Sequence, residues 1–171
     1  MGTSELSPPY PTRTSRTMRK LNRLLMAGLL LCVAAHPLAA QTPVEVEVRG
    51  VIDHLFDGMR AGDSAVVRST MHPEARLVTT AIRDGAPALR VESIDDFIRA
   101  VGTPHDAVWD ERISAVEVRV DEPLATAWMD YRFYAGERFS HCGVNAFQLF
   151  RAADGWKIIQ ITDTRRASCD G

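Results

Sequence analysis

The stretch Leu124–Arg166, LATAWMDYRFYAGERFSHCGVNAFQLFRAADGWKIIQITDTRR, decides the fold. Two turn signals, Ala135-Gly136 and Asp154-Gly155, divide it into three long segments rich in aromatic and β-branched residues. In the first segment Ala127, Met129, Tyr131 and Phe133 share one face, and Trp128, Asp130, Arg132 and Tyr134 the other. The former is the better core face. In the second segment His141 shares parity with Gly143, Asn145, Phe147 and Leu149, a face apolar toward the turn and polar toward its other end. Long alternating segments joined by short turns describe an antiparallel meander.

Upstream, RISAVEVRVDE adds a further strand, with Ile113, Val116, Val118 and Val120 set against polar neighbours. The chain before that strand is mostly helical. Val48, Val51, Ile52, Leu55, Phe56 and Met59 form one stripe, predicting a helix from about Val44 to Ala61 that Gly62-Asp63 ends. Asp63 or Ser64 can cap a short second helix, Ala65–Met71, which Pro73 stops. Leu77–Arg83 and Leu89–Val91 flank the Asp84-Gly85 turn as a hairpin. Ser93 and Asp96 then open a third helix, with Ile94, Phe97, Ile98 and Val101 inward and Gly102 as its stop. Helices first and a meander last predict an α+β domain: a curved antiparallel meander sheet wrapped over N-terminal helices, enclosing a cone-shaped cavity open at one end.

The first 40 residues fall outside this pattern. Residues 18–40 carry a basic start (Arg19, Lys20, Arg23), an apolar run from Leu24 to Ala35, and Leu38-Ala39-Ala40 ahead of Gln41. The run is too short to span a membrane comfortably, and the whole is the pattern of a signal peptide cleaved near Ala40-Gln41. Residues 1–17 are Ser/Thr/Pro-rich, either a disordered extension or residues ahead of a true start at Met18. The expected mature chain, residues 41–171, is a single domain of secreted or periplasmic location. It keeps 15 basic against 21 acidic side chains. An acidic domain without a basic run argues against nucleic acid and against an anionic membrane surface.

Cys32 leaves with the signal, and Cys142 and Cys169 remain as an even pair in an oxidising compartment. With Asp154-Gly155 as the turn, Phe150 faces Lys157 and Cys142 faces Arg165, four residues before Cys169. A tail bending back would bring the two cysteines within disulfide range. Two inert thiols are the alternative. A reactive Cys142–His141 pair is disfavoured, because adjacent strand residues point to opposite faces.

HPEARL (residues 72–77), the RDG turn (83–85), SIDDFI (93–98) and the closing FQLFRAADGWKIIQITDTRR (147–166) resemble the nuclear transport factor 2-like superfamily, in its SnoaL-like or putative lumazine-binding branch. The resemblance spans Val44 to Arg166. It implies the cone fold, homodimers through the sheet and a pocket between sheet and helices. It does not single out a chemistry, since members include isomerases, dehydratases, epoxide hydrolases and pure binding modules.

Several side chains are candidates for such a pocket. His141 and Asn145 sit on the pocket side of the second meander strand, although a hydrogen-bonded histidine at a strand edge would look the same. Asp163 groups with Ile159 and Ile161, facing inward near the mouth, or pairs with Arg165 or Arg166. Asp130 is a carboxylate in an apolar strand and so a candidate general base. Its parity favours the outer face and an ion pair instead. His72 lies where a cavity would open, or simply rests on a helix C-terminal dipole. Trp109 and Tyr131, with Trp128, Trp156 and Phe139, could line an aromatic ligand site or pack the core.

No metal-ligand spacing, GxSxG, P-loop or GxGxxG is present, so neither metal nor cofactor is expected. The expectation is an exported domain binding a small hydrophobic or aromatic molecule without catalysis. The alternative is a cofactor-free isomerase, dehydratase or hydrolase using a pocket histidine or carboxylate as general acid/base. Two carboxylates inside the cone would favour the enzyme; strand parity supplies one. An exposed apolar patch on the outer sheet face would instead mark a partner-binding protein.

Overall fold

A computed structural model describes residues 41–169; the expected extension and signal peptide lie outside the described residues. Helix α1 spans Pro43–Ala61. Thr42 caps it with a reciprocal Glu45 contact, Pro43 sits at its first turn, and Gly62 ends it in the left-handed conformation at φ 68°. Its buried stripe is Val48, Ile52, Leu55, Phe56 and Met59, at the predicted spacing. Helix α2, Ser64–Thr70, is capped by Asp63, whose carboxylate accepts from the Ala65 and Val66 amides. The chain leaves α2 at Thr70, so His72 and Pro73 fall within strand β1 (Met71–Arg83) and not at a helix end. Pro73 lies where the β1 register shifts, a place that does not need its missing N–H. Strand β2 is Ala86–Glu92, and helix α3, Ile94–Gly102, starts on the Ser93 cap. The meander follows as β3 (Trp109–Asp121), β4 (Leu124–Ala135), β5 (Arg138–Ala152) and β6 (Gly155–Arg165).

The sheet is six-stranded in the order β2-β1-β6-β5-β4-β3. The meander is antiparallel throughout, and the β1–β2 hairpin joins it by parallel pairing of β1 with β6. The sheet is curved and unclosed, with the helices over its concave face. At the packed end Met129, Phe147, Leu149 and Ile158 meet Val48, Ile52 and Leu55, all nearly inaccessible to solvent. Phe56 meets Phe147 edge to face at 6.1 Å. Burying side chains of this size contributes about 1.5–3 kcal/mol each.

Two bulges decide which residues face the cone. In β3 the register against β4 shifts between Ser114 and Glu117, and Ala115 takes a left-handed φ of 51°. The inward set is therefore odd-numbered before the bulge (Trp109, Glu111, Ile113) and even-numbered after it (Val116, Val118, Val120). In β6 the register against β5 shifts at Ile159. Trp156 and Ile158 face inward before that shift, and Ile161 and Asp163 after it.

The β6 bulge also moves the cysteine register by one residue. Cys142 bridges Arg166, not Arg165, through backbone hydrogen bonds of 3.0 and 2.8 Å. The tail then turns back, and a disulfide joins Cys142 to Cys169 with Cα atoms 6.1 Å apart. Among the described residues no helix is long and apolar enough to cross a membrane.

Candidate functional site

Between the concave face of the sheet and helices α1 and α3 lies a cavity of about 90 Å³. Leu55, Phe56 and Met59 of α1, Phe97 of α3, and Phe147 and Ile161 of the sheet form its apolar wall. Its polar end comes from four adjacent strands: Glu111 of β3, Tyr131 of β4, His141 and Asn145 of β5, and Asp163 and Arg165 of β6. Thr79 of β1 and Glu92 of β2 border it.

Glu111 is the centre of this polar end. Asn145, itself buried, donates from Nδ2 to Glu111 Oε1 at 2.7 Å. Burial pushes the Glu111 carboxyl up to about 7; the Asn145 bond opposes the rise, the Asp163 charge adds to it and the Arg165 charge offsets it. The group thus changes charge in the neutral range, inside a cavity.

Asp163 is 8 % exposed and held from two sides. Its Oδ2 accepts from Arg165 Nε at 2.7 Å and lies 3.2 Å from the Tyr131 hydroxyl. That hydroxyl donates to the Thr164 carbonyl oxygen at 2.9 Å. Burial and the two neighbouring carboxylates push the Tyr131 ionisation far up, so the phenol keeps its proton. Gly143, opposite Tyr131 in the β4–β5 register, makes this approach feasible. A Cβ there would run into the Thr164 carbonyl.

His141 stacks on Phe133 at 5.0 Å and meets Tyr131 edge-on at 5.7 Å, with Nδ1 3.0 Å from the Ser140 hydroxyl. Burial lowers its pKa, the Arg165 charge lowers it further, and Asp163 partly counters both. The ring is neutral at neutral pH. Cys142, one residue on, faces the other side and is taken up by the disulfide.

Four of the candidates therefore converge on the cavity: His141, Asn145, Tyr131 and Asp163. Three do not. Asp130 is exposed on the outer face, opposite Ser114 and Val144. His72 packs edge-on against Phe150 at 6.3 Å and accepts the Glu74 amide at Nδ1. Trp109 stacks on His105 at 4.4 Å and lines a separate groove at the C-terminal ends of α1 and α3. Glu111 was not among the candidates: Ile113 and Val116 sit on opposite parities, and only the shift between Ser114 and Glu117 puts both on the inward face. The signal was there in Trp109 and Ile113, which share the Glu111 parity. Arg165 entered the reading only as a partner for Asp163, and it also lines the cavity.

Among the described residues no three His, Cys, Asp or Glu side chains are grouped to hold a metal ion. The carboxyl of Glu111 can donate a hydrogen bond when protonated and accept a proton or hydrogen bond when ionised.

No curated protein matches the chain. Among solved structures, a nuclear transport factor 2-like protein of unknown function from Shewanella baltica OS155 is 14% identical. It covers 75% of this chain and 100% of its own, with a TM-score of 0.57. A nuclear transport factor 2-like protein with a cystatin-like fold from Novosphingobium aromaticivorans is 11% identical, covering 92% of this chain and 94% of its own at TM-score 0.58. A putative ketosteroid isomerase from Shewanella frigidimarina NCIMB 400 is 16% identical, covering 72% and 99% at TM-score 0.53. At these identities the likeness is one of fold. The family model described as "Putative lumazine-binding" matches residues 43–162. The chain belongs to the putative lumazine-binding family, within the nuclear transport factor 2-like superfamily.

Proposed function

We propose that this is an exported domain that binds a small molecule in its cone, with Glu111 at the ligand's polar end. One observation carries this reading: four strands and two helices bring six polar side chains and an apolar wall around one cavity. Its size limits the ligand. About 90 Å³ is below the roughly 300–1,000 Å³ of sites enclosing drug-sized ligands. A molecule of a few heavy atoms suits this space better than a two-ring heterocycle such as the lumazine of the family description. The test follows the Asn145 side-chain amide by NMR while small molecules are added. Binding in the cone shifts those signals; binders that move only outer-face residues would contradict the reading. Export is tested by N-terminal sequencing of the secreted protein, expected to begin at Gln41.

A second reading, a cofactor-free proton-transfer enzyme, is favoured by the Glu111 carboxyl near 7, with Asp163 in the same cavity. A general acid or base is most effective with its pKa close to the working pH. The Glu111 carboxylate would take a proton from carbon and return it elsewhere on the same molecule. Deuterium uptake by small carbonyl compounds in D₂O, lost in Glu111→Gln, would support it. Uptake equal in both proteins would end it.

We further propose that two copies pair through the outer sheet face. Leu124 and Phe150, register partners, and Trp128 are exposed there. Sedimentation should show a dimer that Trp128→Glu converts to monomer; a monomeric native protein would overturn the pairing.

A further inference from the structure

The cavity and the groove at the C-terminal ends of α1 and α3 run along the same three elements. On α3, Phe97 lines the cavity and Val101, one turn further on, lines the groove. On β3, Glu111 lines the cavity and Trp109, two positions before it on the same face, lines the groove. On α1, Leu55 lines the cavity and Met59, one turn on, lines both spaces. Among the described residues Met59 is the one side chain the two linings share, and it is buried.

A methionine is a poor fixed wall, because its unbranched side chain turns about three bonds and repacks readily. The size limit on the ligand therefore holds only while Met59 stays in place. Turned aside, Met59 joins the cavity of about 90 Å³ to a groove of about 320 Å³. The combined space falls within the roughly 300–1,000 Å³ of sites that enclose drug-sized ligands.

The two ends suit different chemistry. The groove presents Trp109 with Pro104, Ala107 and Val108. The His105 ring already stacks on the Trp109 indole at 4.4 Å, so the indole accepts a flat partner. Arg60, the arginine of the groove, is neutralised by Asp57 and Asp110. The cavity end both accepts and donates hydrogen bonds. Glu111 Oε2 and Asp163 Oδ1 accept; the Arg165 Nη groups and the second Asn145 Nδ2 hydrogen donate. None of these has a partner among the described residues, whose bonds run through Glu111 Oε1, Asp163 Oδ2 and Arg165 Nε. A head group that gives and takes hydrogen bonds at once matches this end.

We propose that cavity and groove are two halves of one ligand site divided by the Met59 side chain. It takes a flat aromatic ring joined by a short chain to an uncharged head such as a carboxamide, with the ring on Trp109 and the head against Glu111, Asn145 and Arg165. This rests on the reading of the cone as a ligand site. Two strand positions set the span from Trp109 to Glu111 at about 7 Å.

3-Phenylpropanamide, propanamide and toluene stand for the whole ligand, its head and its ring. Each is titrated into the protein, with NMR on the Asn145 side-chain amide and on the Trp109 indole N–H, assigned with Trp109→Phe. 3-Phenylpropanamide should move both signals and bind about tenfold or more tighter than either fragment. Propanamide should move the Asn145 signals alone. Met59→Ala removes the divide and should widen the preference for 3-phenylpropanamide over propanamide by about threefold or more. Met59→Ile stiffens the side chain at χ1 and should narrow that preference by about the same factor. It is the second variant should the alanine protein fail to fold. A preference unchanged by either substitution, or 3-phenylpropanamide moving one signal without the other, would overturn the joined site. The cone reading stands in that case so long as propanamide moves the Asn145 signals. No shift of the Asn145 signals with any of the three would overturn both.

Discussion

Glu111 carries a stability cost that depends on pH. Its folded carboxyl holds a proton up to about 7, well above the ordinary 4.5. The stability belonging to the protonated form is full below about 4.5 and is lost as pH rises through about 7. Glu111→Gln removes the ionisation, so the variant should match the native protein near pH 4.5. It should exceed native stability by about 1–3 kcal/mol at pH 8, by urea unfolding. Gly143 works through its neighbour. Gly143→Ala places a Cβ against the Thr164 carbonyl and displaces the bond from Tyr131. It should cost about 1–3 kcal/mol and move the Asn145 amide signals, because β6 carries Asp163 and Arg165 beside them. Tyr131→Phe loses the bond without the clash and should cost about 1–2 kcal/mol.

At the scale of elements, bulges decide what the cone contains. Ala115 holds φ 51°, a conformation that crowds any Cβ and crowds a branched one most. Ala115→Val should therefore cost about 1–2 kcal/mol by thermal or urea unfolding, whereas Ala115→Gly should be neutral or mildly stabilising. Helices α1 and α3, the Gly62 end of α1, the Ser93 cap of α3 and the four meander strands were legible in the sequence because periodicity and capping are local signals. The same alternation put His141, Asn145, Tyr131 and Asp163 on the face that lines the cavity, although it grouped Asp163 with Ile159, where the β6 register shifts. Glu111 was not read as a candidate, since one extra residue at Ala115 sets it in phase with Ile113 and out of phase with Val116, Val118 and Val120. No local pattern revealed that β1 runs from Met71 and pairs in parallel with β6. That pairing depends on contacts some eighty residues apart in sequence, and it is why His72 sits on a strand.

For the molecule as a whole, the disulfide ties the tail to the wall beside the cavity. Cys142 and Cys169 are 27 positions apart, a loop whose closure contributes about 3–4 kcal/mol in the chain-entropy account. Cys169→Ser should lower stability by about that amount. The chain from Gln41 to Gly171 should show no free thiol when denatured without reductant; two titratable thiols would contradict the bridge. The fold follows from meander and helices together, while the ligand depends on a polar end assembled from strands β3 to β6. The central claim, a cone whose polar end is a Glu111 carboxyl poised near neutrality, is tested most directly by ¹³C NMR titration of the glutamate carboxyls. One carboxyl should titrate near 7 and vanish from the spectrum of Glu111→Gln. Every glutamate titrating in the ordinary range of about 4–5 would contradict the account.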